Sequence, residues 1–468
     1  MTYTRSFIRL TMAITLITSF IAPFMGNAVN IAIPSISSEF GGSQSQLNWI
    51  VSSYLLSSAA FALPFGRLAD IVGRKKMFTL GIILFGLTSL SCGLAFSLYS
   101  LILFRLLQGI AYAMVFGTSM AILTSVVPPQ ERGRALGINT AAIYIGLSLG
   151  PVLGGAICKY INWRGIFLLG FILNIIILTL TLLKLKGEWK GSEGEAFDIW
   201  GSIFCISGLA LLLLGLSNLT SASSYSLILL SGIVLIALFI GYEYKTTFPL
   251  LPIRKFAKNT TFIFSNLATL INYSATFALG YLLSLYLQLV LGLDTTFSGL
   301  ILLSQPIIMA TLSPLTGRIS DKIEPQILAS IGMGITTLGL FLFIFLSANT
   351  SVMLVILNLI LIGIGFALFS SPNTNAVMSS VDRTHYAIAS STMGTMRLLG
   401  QTFSMAIVSL VTSAHIGKLD LNSSEYPLQF LLSSRISFIV FTAFCFLGIF
   451  ASMARGKMDK NIHLKKDT

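Results

Sequence analysis

Long apolar runs decide what this chain can become. There are fourteen, near residues 10–33, 47–66, 77–97, 100–123, 135–158, 165–183, 200–218, 225–243, 262–290, 298–316, 327–346, 352–372, 387–412 and 432–453. A helix that crosses a bilayer takes ~20 mostly apolar residues, and only helices or closed barrels satisfy their backbone in lipid. Barrel strands would alternate polar and apolar in short segments, and nothing here does. Of the 468 residues, 55% are hydrophobic and 10% charged, against roughly a quarter charged in soluble domains. The fold class expected is therefore an all-α polytopic membrane protein with 14 transmembrane helices.

The net charge of +13 is spread through short loops rather than gathered on one face, which argues against a nucleic-acid partner. An even number of spans puts both termini on one side. The loops of that side carry the basic groups, from Arg5 and Arg9 through Arg74, Lys75 and Lys76 to a tail cluster, Arg455 to Lys466. The opposite loops hold only Lys159, Arg164, Lys418 and Arg435. By the positive-inside rule both termini face the cytoplasm of a cell membrane. Cys92, Cys158, Cys205 and Cys445 are scattered through apolar runs with no paired spacing, so they read as small core residues rather than a metal site or disulfides. Residues 10–33 are too long, and lack the cleavage site, for a removable signal; they read as the first permanent span.

The chain repeats itself. PFGRLAD (64–70) aligns with LTGRISD (315–321) at an offset of 251 positions, and Glu131-Arg132 aligns with Asp382-Arg383 at the same offset. Six spans with short connections fill ~200 residues, so the larger offset leaves room for one extra hairpin. The layout expected is a six-helix bundle (1–184), a linker with two additional helices (185–259), a second six-helix bundle (260–454) and a basic tail (455–468). Parallel halves with a substrate site between them near the midplane are one way secondary transporters are built. The longest hydrophilic stretch, KLKGEWKGSEGEAFD (184–198), is too short for a soluble domain, and no GxxxxGK[ST] occurs, which excludes an ATP-driven pump.

Several short motifs, in order, resemble those of the major facilitator superfamily. GRLADIVGRKK (66–76) is similar to its loop between spans two and three, LFRLLQGIAYA (103–113) to its span four, and GLSLGPVLGG (146–155) to the span-five pattern of its antiporters. NAVNIAIPSI (27–36), LNWIVSSYLL (47–56), NWRGIFLL (162–169), FDIWG (197–201), YLQLVLGL (286–293) and MRLLGQ (396–401) extend the resemblance to its fourteen-span drug:proton antiporter branch. The resemblance implies two six-helix bundles of the major facilitator fold plus an inserted pair. It also implies a multidrug or amphipathic small-molecule exporter that works by alternating access, with protons as the candidate coupling ion.

The motifs also read physically. Gly66, Gly73, Asp70 and Arg74 sit where helix ends meet and part; Asp70, at the rim, can face a helix N-terminus or an Arg of a neighbouring span. Such a latch would hold one state and break in another, with Gly317, Arg318 and Asp321 as a reduced second copy. The plainer alternative is a positive-inside anchor, which suits Lys75 and Lys76. Gly146, Gly150 and Gly154, spaced by four, line one helical face for close packing, and Pro151 promotes a bend; with Gly155 they are expected to seal the seam between halves. Arg105 and Arg397 lie deep in apolar runs, where a charge costs ~3 kcal/mol and normally faces the bundle interior or a wet cavity. Asn27, Asn30, Tyr54, Gln108, Asn139, Tyr144, Asn272, Tyr273, Gln305, Asn373, Asn375 and Gln401 are the polar candidates for lining a substrate cavity.

One position departs from the family pattern. Where many members carry an acid in span one, this chain has Met25, and none of its sixteen Asp and Glu lies near the middle of a span. A proton could then be carried by a rim acid such as Asp70, or transport could be uncoupled or driven by potential, and neutral or anionic cargo is as expected as cationic. A membrane enzyme is the alternative of another class, but His385, His415 and His463 lie outside span centres and no paired carboxylates or HExxH set occurs. No cofactor or metal is implied, and the expectation is a monomer in the lipid bilayer with a small-molecule substrate.

Overall fold

The computed structural model describes residues 3–42, 44–219, 224–415 and 426–456. Lys418 and the tail from residue 457, which includes His463, lie outside them. The described residues form helices and no strand, and fourteen helices are long and apolar enough to cross a membrane. The first eight are α1 (Arg5–Phe40), α2 (Gln44–Val72), α3 (Arg74–Gly93), α4 (Leu98–Val126), α5 (Arg132–Tyr160), α6 (Arg164–Lys184), α7 (Ile199–Ser217) and α8 (Ser224–Glu243). The ninth, α9, is broken into Thr260–Thr276, Leu279–Leu285 and a π-helical turn, Tyr286–Val290. The tenth, α10, is broken into Thr295–Leu302 and Ser304–Ser320. The last four are α11 (Pro325–Phe343), α12 (Val352–Ser379), α13 (Tyr386–His415) and α14 (Tyr426–Met453).

The breaks have local causes. Pro306 cannot donate to the carbonyl of Leu302, so α10 interrupts just there. In α9 the Ala278 N–H donates instead to Ser404 Oγ of α13 at 3.0 Å, which satisfies a backbone group that lipid would leave bare. Ends are capped in the ordinary way: Ser97 and Ser100 form a reciprocal box at the start of α4, and Asp198 caps α7.

Packing follows the repeat. α1 packs on α5 and α6, α2 on α4, and α3 on α4 and α6; in the second half α9 packs on α13 and α14, α11 on α12 and α14, and α10 on α12. The two sets meet along α2 with α13 and along α5 with α10. The 251-position offset maps α2 onto α10 and α5 onto α13, so these two seams are one contact made twice. α7 and α8 pair with each other; α7 leans on both α2 and α13, while α8 buries little of its length. Both ends of the described chain lie at one end of the bundle. Tyr3 receives a hydrogen bond from Trp189 Nε1 (2.9 Å), and the Arg455 carbonyl accepts from Thr260 and Thr261.

Candidate functional site

At that same end, each half sends an acid across the seam to the N-terminus of a helix in the other. Asp70, at 0% exposure, accepts from the backbone N–H groups of Ala387 (3.2 Å) and Ile388 (3.0 Å) in the first turn of α13. Four residues on, Arg74 closes an ion pair on it through Nε (2.8 Å), donates to Ser125 Oγ (2.8 Å) and reaches the carbonyl of Arg383. Gly73, at φ +129°, makes the turn between α2 and α3 that only glycine takes without strain. Arg74 and Arg132 lie on the ring of Tyr386, each 5.4 Å from its centroid. Gly66 faces Ser391 so closely that a Cβ would collide with it.

The second copy is plainer. Asp321 accepts from Gly133 N (2.6 Å) and Arg134 N (3.0 Å) at the start of α5, and Gly133 and Gly317 meet backbone to backbone. Arg318 is exposed. Burial raises the Asp321 carboxyl above its ordinary value, opposed by the two N–H bonds and by Arg132. The hydrophilic linker clasps the first copy alone. Gly191 N and Ser192 N donate to the Asp70 carbonyl (2.8 and 2.9 Å), Arg74 N to the Trp189 carbonyl, and Lys75 N and Lys76 N to the Glu188 carboxylate. Arg67 pairs with Glu195 and donates to Ser192 Oγ.

The glycines of α5 divide between two neighbours, which corrects the expected seal. Gly146, Gly150 and Gly154 press on Phe20, Asn27 and Ala28 of α1, inside the first bundle, and not on the seam. Gly155 finds only the Ile31 side chain at 3.8 Å, and Pro151 is half-buried beside it. The seam belongs instead to the other end of α5, where Gly133 meets Gly317 and Gly137 meets the Ser313 backbone.

The two deep arginines also part company. Arg105, at 1% exposure, is enclosed by the first bundle: its Nε donates to the Ile50 carbonyl (3.0 Å), its Nη1 to Gln108 Oε1 (2.7 Å), and its guanidinium lies 4.3 Å from the Tyr54 ring. Gln108 donates on to Ser89 Oγ. Arg105, Tyr54 and Gln108 thus tie α2, α3 and α4 together, and none of them lines the two cavities at the seam between the halves. Arg397 does. Its guanidinium stands 4.7 Å from the Phe116 ring and 5.8 Å from that of Tyr273, with no carboxylate paired to it among the described residues.

Around Arg397 is a cavity of about 30 Å³ walled by both halves, with Phe116, Met120, Thr140, Ile143 and Tyr144 from one and Thr269, Tyr273, Phe369, Ser370, Asn373, Thr374 and Met393 from the other. A smaller one of about 10 Å³, lined by Ser19, Tyr112 and Asn139 among others, adjoins it through Phe116, Met120 and Ile143. Phe366 stands edge-on to Tyr144 and to Tyr273 behind it. Of the polar candidates, Asn139, Tyr144, Tyr273 and Asn373 come together here. Asn27 instead donates to the Leu147 carbonyl, Asn375 to Ser320, and Asn272 is enclosed at 0% exposure. Asn30 is exposed, and Gln305 and Gln401 are partly buried outside both cavities. Phe116, Thr140, Thr269 and Ser370 were invisible in the sequence, because an apolar helix does not announce which face meets the seam.

Two like bundles closed over a polar cavity at their seam make the framework of a membrane transporter. The chain belongs to the Major Facilitator Superfamily, whose model matches residues 15–405 and 266–461. It is 28% identical to the riboflavin transporter RibZ of Clostridioides difficile over 95% of this chain and 96% of that one. It is 31% identical to the multidrug resistance protein Stp of Mycobacterium tuberculosis over 82% of this chain and 72% of that one. Among solved structures, the proton:xylose symporter XylE superposes with a TM-score of 0.68 at 15% identity, covering 96% and 95% of the two chains.

Proposed function

We propose that this protein is a secondary exporter of amphipathic small molecules that works by alternating access, with its latch end and both termini in the cytoplasm. The observation that carries the reading is the pairing of two acid-to-helix latches with a seam cavity directly behind them. A cavity of about 30 Å³ admits a water or two, while small-molecule sites run to ~300 Å³ and more. The latched form is therefore too tight for cargo, and the halves must rock apart to admit it. The wall is aromatic, hydroxylated and, apart from Arg397, uncharged, which suits neutral or anionic amphiphiles better than cations.

The test is a counterflow screen of the purified full chain in proteoliposomes over drugs and metabolites, with the proton gradient present and collapsed. Export of several unrelated amphiphiles, slowed when the gradient collapses, is the expected result. A second reading, transport of one metabolite, draws on the similarity to RibZ along nearly the whole chain. A single accepted substrate, with riboflavin in the panel, would favour it.

A further inference from the structure

The latch end holds a pair of carboxyl groups that the reading above does not use. Asp198, N-cap of α7, and Glu243, last residue of α8, are 8% and 2% exposed. One oxygen of each has a backbone donor: Gly201 N to Asp198 Oδ1 (2.8 Å) and Leu251 N to Glu243 Oε2 (2.9 Å). The other two, Asp198 Oδ2 and Glu243 Oε1, are buried without a donor and converge on the same point above Gly201, where a Cβ would strike both. The two carboxyls lie within hydrogen-bond reach of each other. Two carboxylate oxygens cannot bond unless one carries a proton, and out of water two such groups do not both stay ionised.

Among the described residues none is seen to supply a positive charge instead. Asp198 and the Cys205 thiol are the titratable groups that interact with Glu243. Of the cations on neighbouring elements, Arg67 on α2 is held by Glu195, Lys255 by Asp382 and Arg254 against Tyr244. Lys245 and Lys258 are exposed, and His385 stands edge-on to Phe256. No group of three or more metal-ligating side chains occurs among the described residues.

We propose that Asp198 and Glu243 form a proton-binding site wired to the cytoplasmic latch. The path is short and covalent at its start: Asp198 is three residues from Glu195, which holds Arg67, one helical turn before Asp70. The same linker donates Gly191 N and Ser192 N to the Asp70 carbonyl and presses Gly191 on Thr384 of the opposite half. α7 itself touches both seam helices, α2 and α13. With a shared proton the pair is closed. When the proton leaves, two like charges face each other, Glu243 is driven from the start of α7, and the linker slackens on Arg67. The wiring rests on the alternating-access reading; the proton site does not.

The experiment is an infrared pH titration of the full chain in nanodiscs, following the protonated-carboxyl stretch for wild type, D198N, E243Q and the double variant. In parallel, thiol labelling of Ser391→Cys, at the seam beside Gly66, is read by mass spectrometry in each background. A carboxyl that holds its proton above about pH 6 in wild type and is lost in E243Q is expected, since burial raises such groups by several units. Labelling corrected for the thiolate fraction at each pH should change about tenfold across the titration in wild type, the equivalent of one unit of pKa, and show no such change in E243Q. A wild-type chain with no such band overturns the proton site without need of any variant. A band that survives in E243Q and D198N overturns its assignment, and labelling that keeps its pH dependence in E243Q overturns the wiring alone. Failed counterflow with these results intact would instead count against the exporter reading.

Discussion

The two latches began as copies and ended unequal. Asp70 sits in the interior with Arg74 closed on it and a linker laced over its back; Asp321 caps its helix at the rim, alone. Sequence explains the gap. The position that repeats Gly73 is Glu324, and the one that repeats Arg74 is Pro325, which can neither pair with Asp321 nor continue the turn in the same way. The grips also differ in depth: Asp70 takes the N–H groups of residues 387 and 388, whereas a faithful copy of the Asp321 contact would take 384 and 385. A brace buried with its arginine is costly to break, because either partner left behind is an unpaired charge in a low dielectric. A brace at the rim yields to water. In the proposed alternating-access cycle the repeat thus supplies one firm closure and one yielding one, and the halves should separate first at Asp321.

The comparison breaks most decisively at Asp70. Asp70→Asn strands Arg74 and should cost ~3–5 kcal/mol of latch stability, abolishing transport and exposing Ser391→Cys to labelling from the latch end; Asp321→Asn keeps an acceptor for the same N–H groups and should cost less than ~1 kcal/mol. Equal labelling in the two variants would remove the distinction. Next in size is the glycine contact of the second latch. Gly133→Ala puts a methyl on the Asp321 carboxylate and Ser320 hydroxyl, so the α5–α10 seam should stay apart and transport fall more than tenfold, while Gly155→Ala, whose methyl meets only Ile31 at ordinary contact distance, should leave transport unchanged. Smaller again is the pair Arg67→Ala and Arg318→Ala. The first frees the linker and should speed proteolysis at residues 188–195 several-fold; the second removes an exposed side chain and should change nothing measurable. The smallest effect is one of pH. Burial raises the Asp321 carboxyl when it is latched, so the latched form binds its proton more tightly than the open one. Acidification through the carboxylate range should then favour the latched form of Asp70→Asn chains, seen as labelling that slows as pH falls by more than the loss of thiolate accounts for.

Much of this was legible before any coordinates, and for definite reasons. Spans are written in composition, because lipid tolerates little else, and the family is written in short motifs such as GRLADIVGRKK. That Asp70 can face a helix N-terminus or an Arg of a neighbouring span follows from an acid at a rim, and it meets both, the start of α13 and Arg74. What could not be read was rotation. Arg105 and Arg397 look alike in sequence, each an arginine in an oily helix followed by a glutamine and glycine, yet one turns into its own bundle and the other toward the seam. The glycines of α5 failed in the same way, since a stripe of small residues tells that something comes close and not which helix it is. The carboxyl pair was missed because Asp198 and Glu243 are 45 positions apart and each ends a helix, where an acid ordinarily needs no explanation.

The severed backbone of α9 makes this helix a crankshaft rather than a rod. Its inner arm, Thr260–Thr276, carries Thr269 and Tyr273 into the cavity wall, and its outer arm is pinned through Ala278 to Ser404. α13 grips both arms, pressing Gly400 on Leu270 and Tyr273 of the inner one and offering the Ser404 hydroxyl to Ala278 at the break, so in the proposed cycle a shift of α13 would reach the cavity wall and the far arm together.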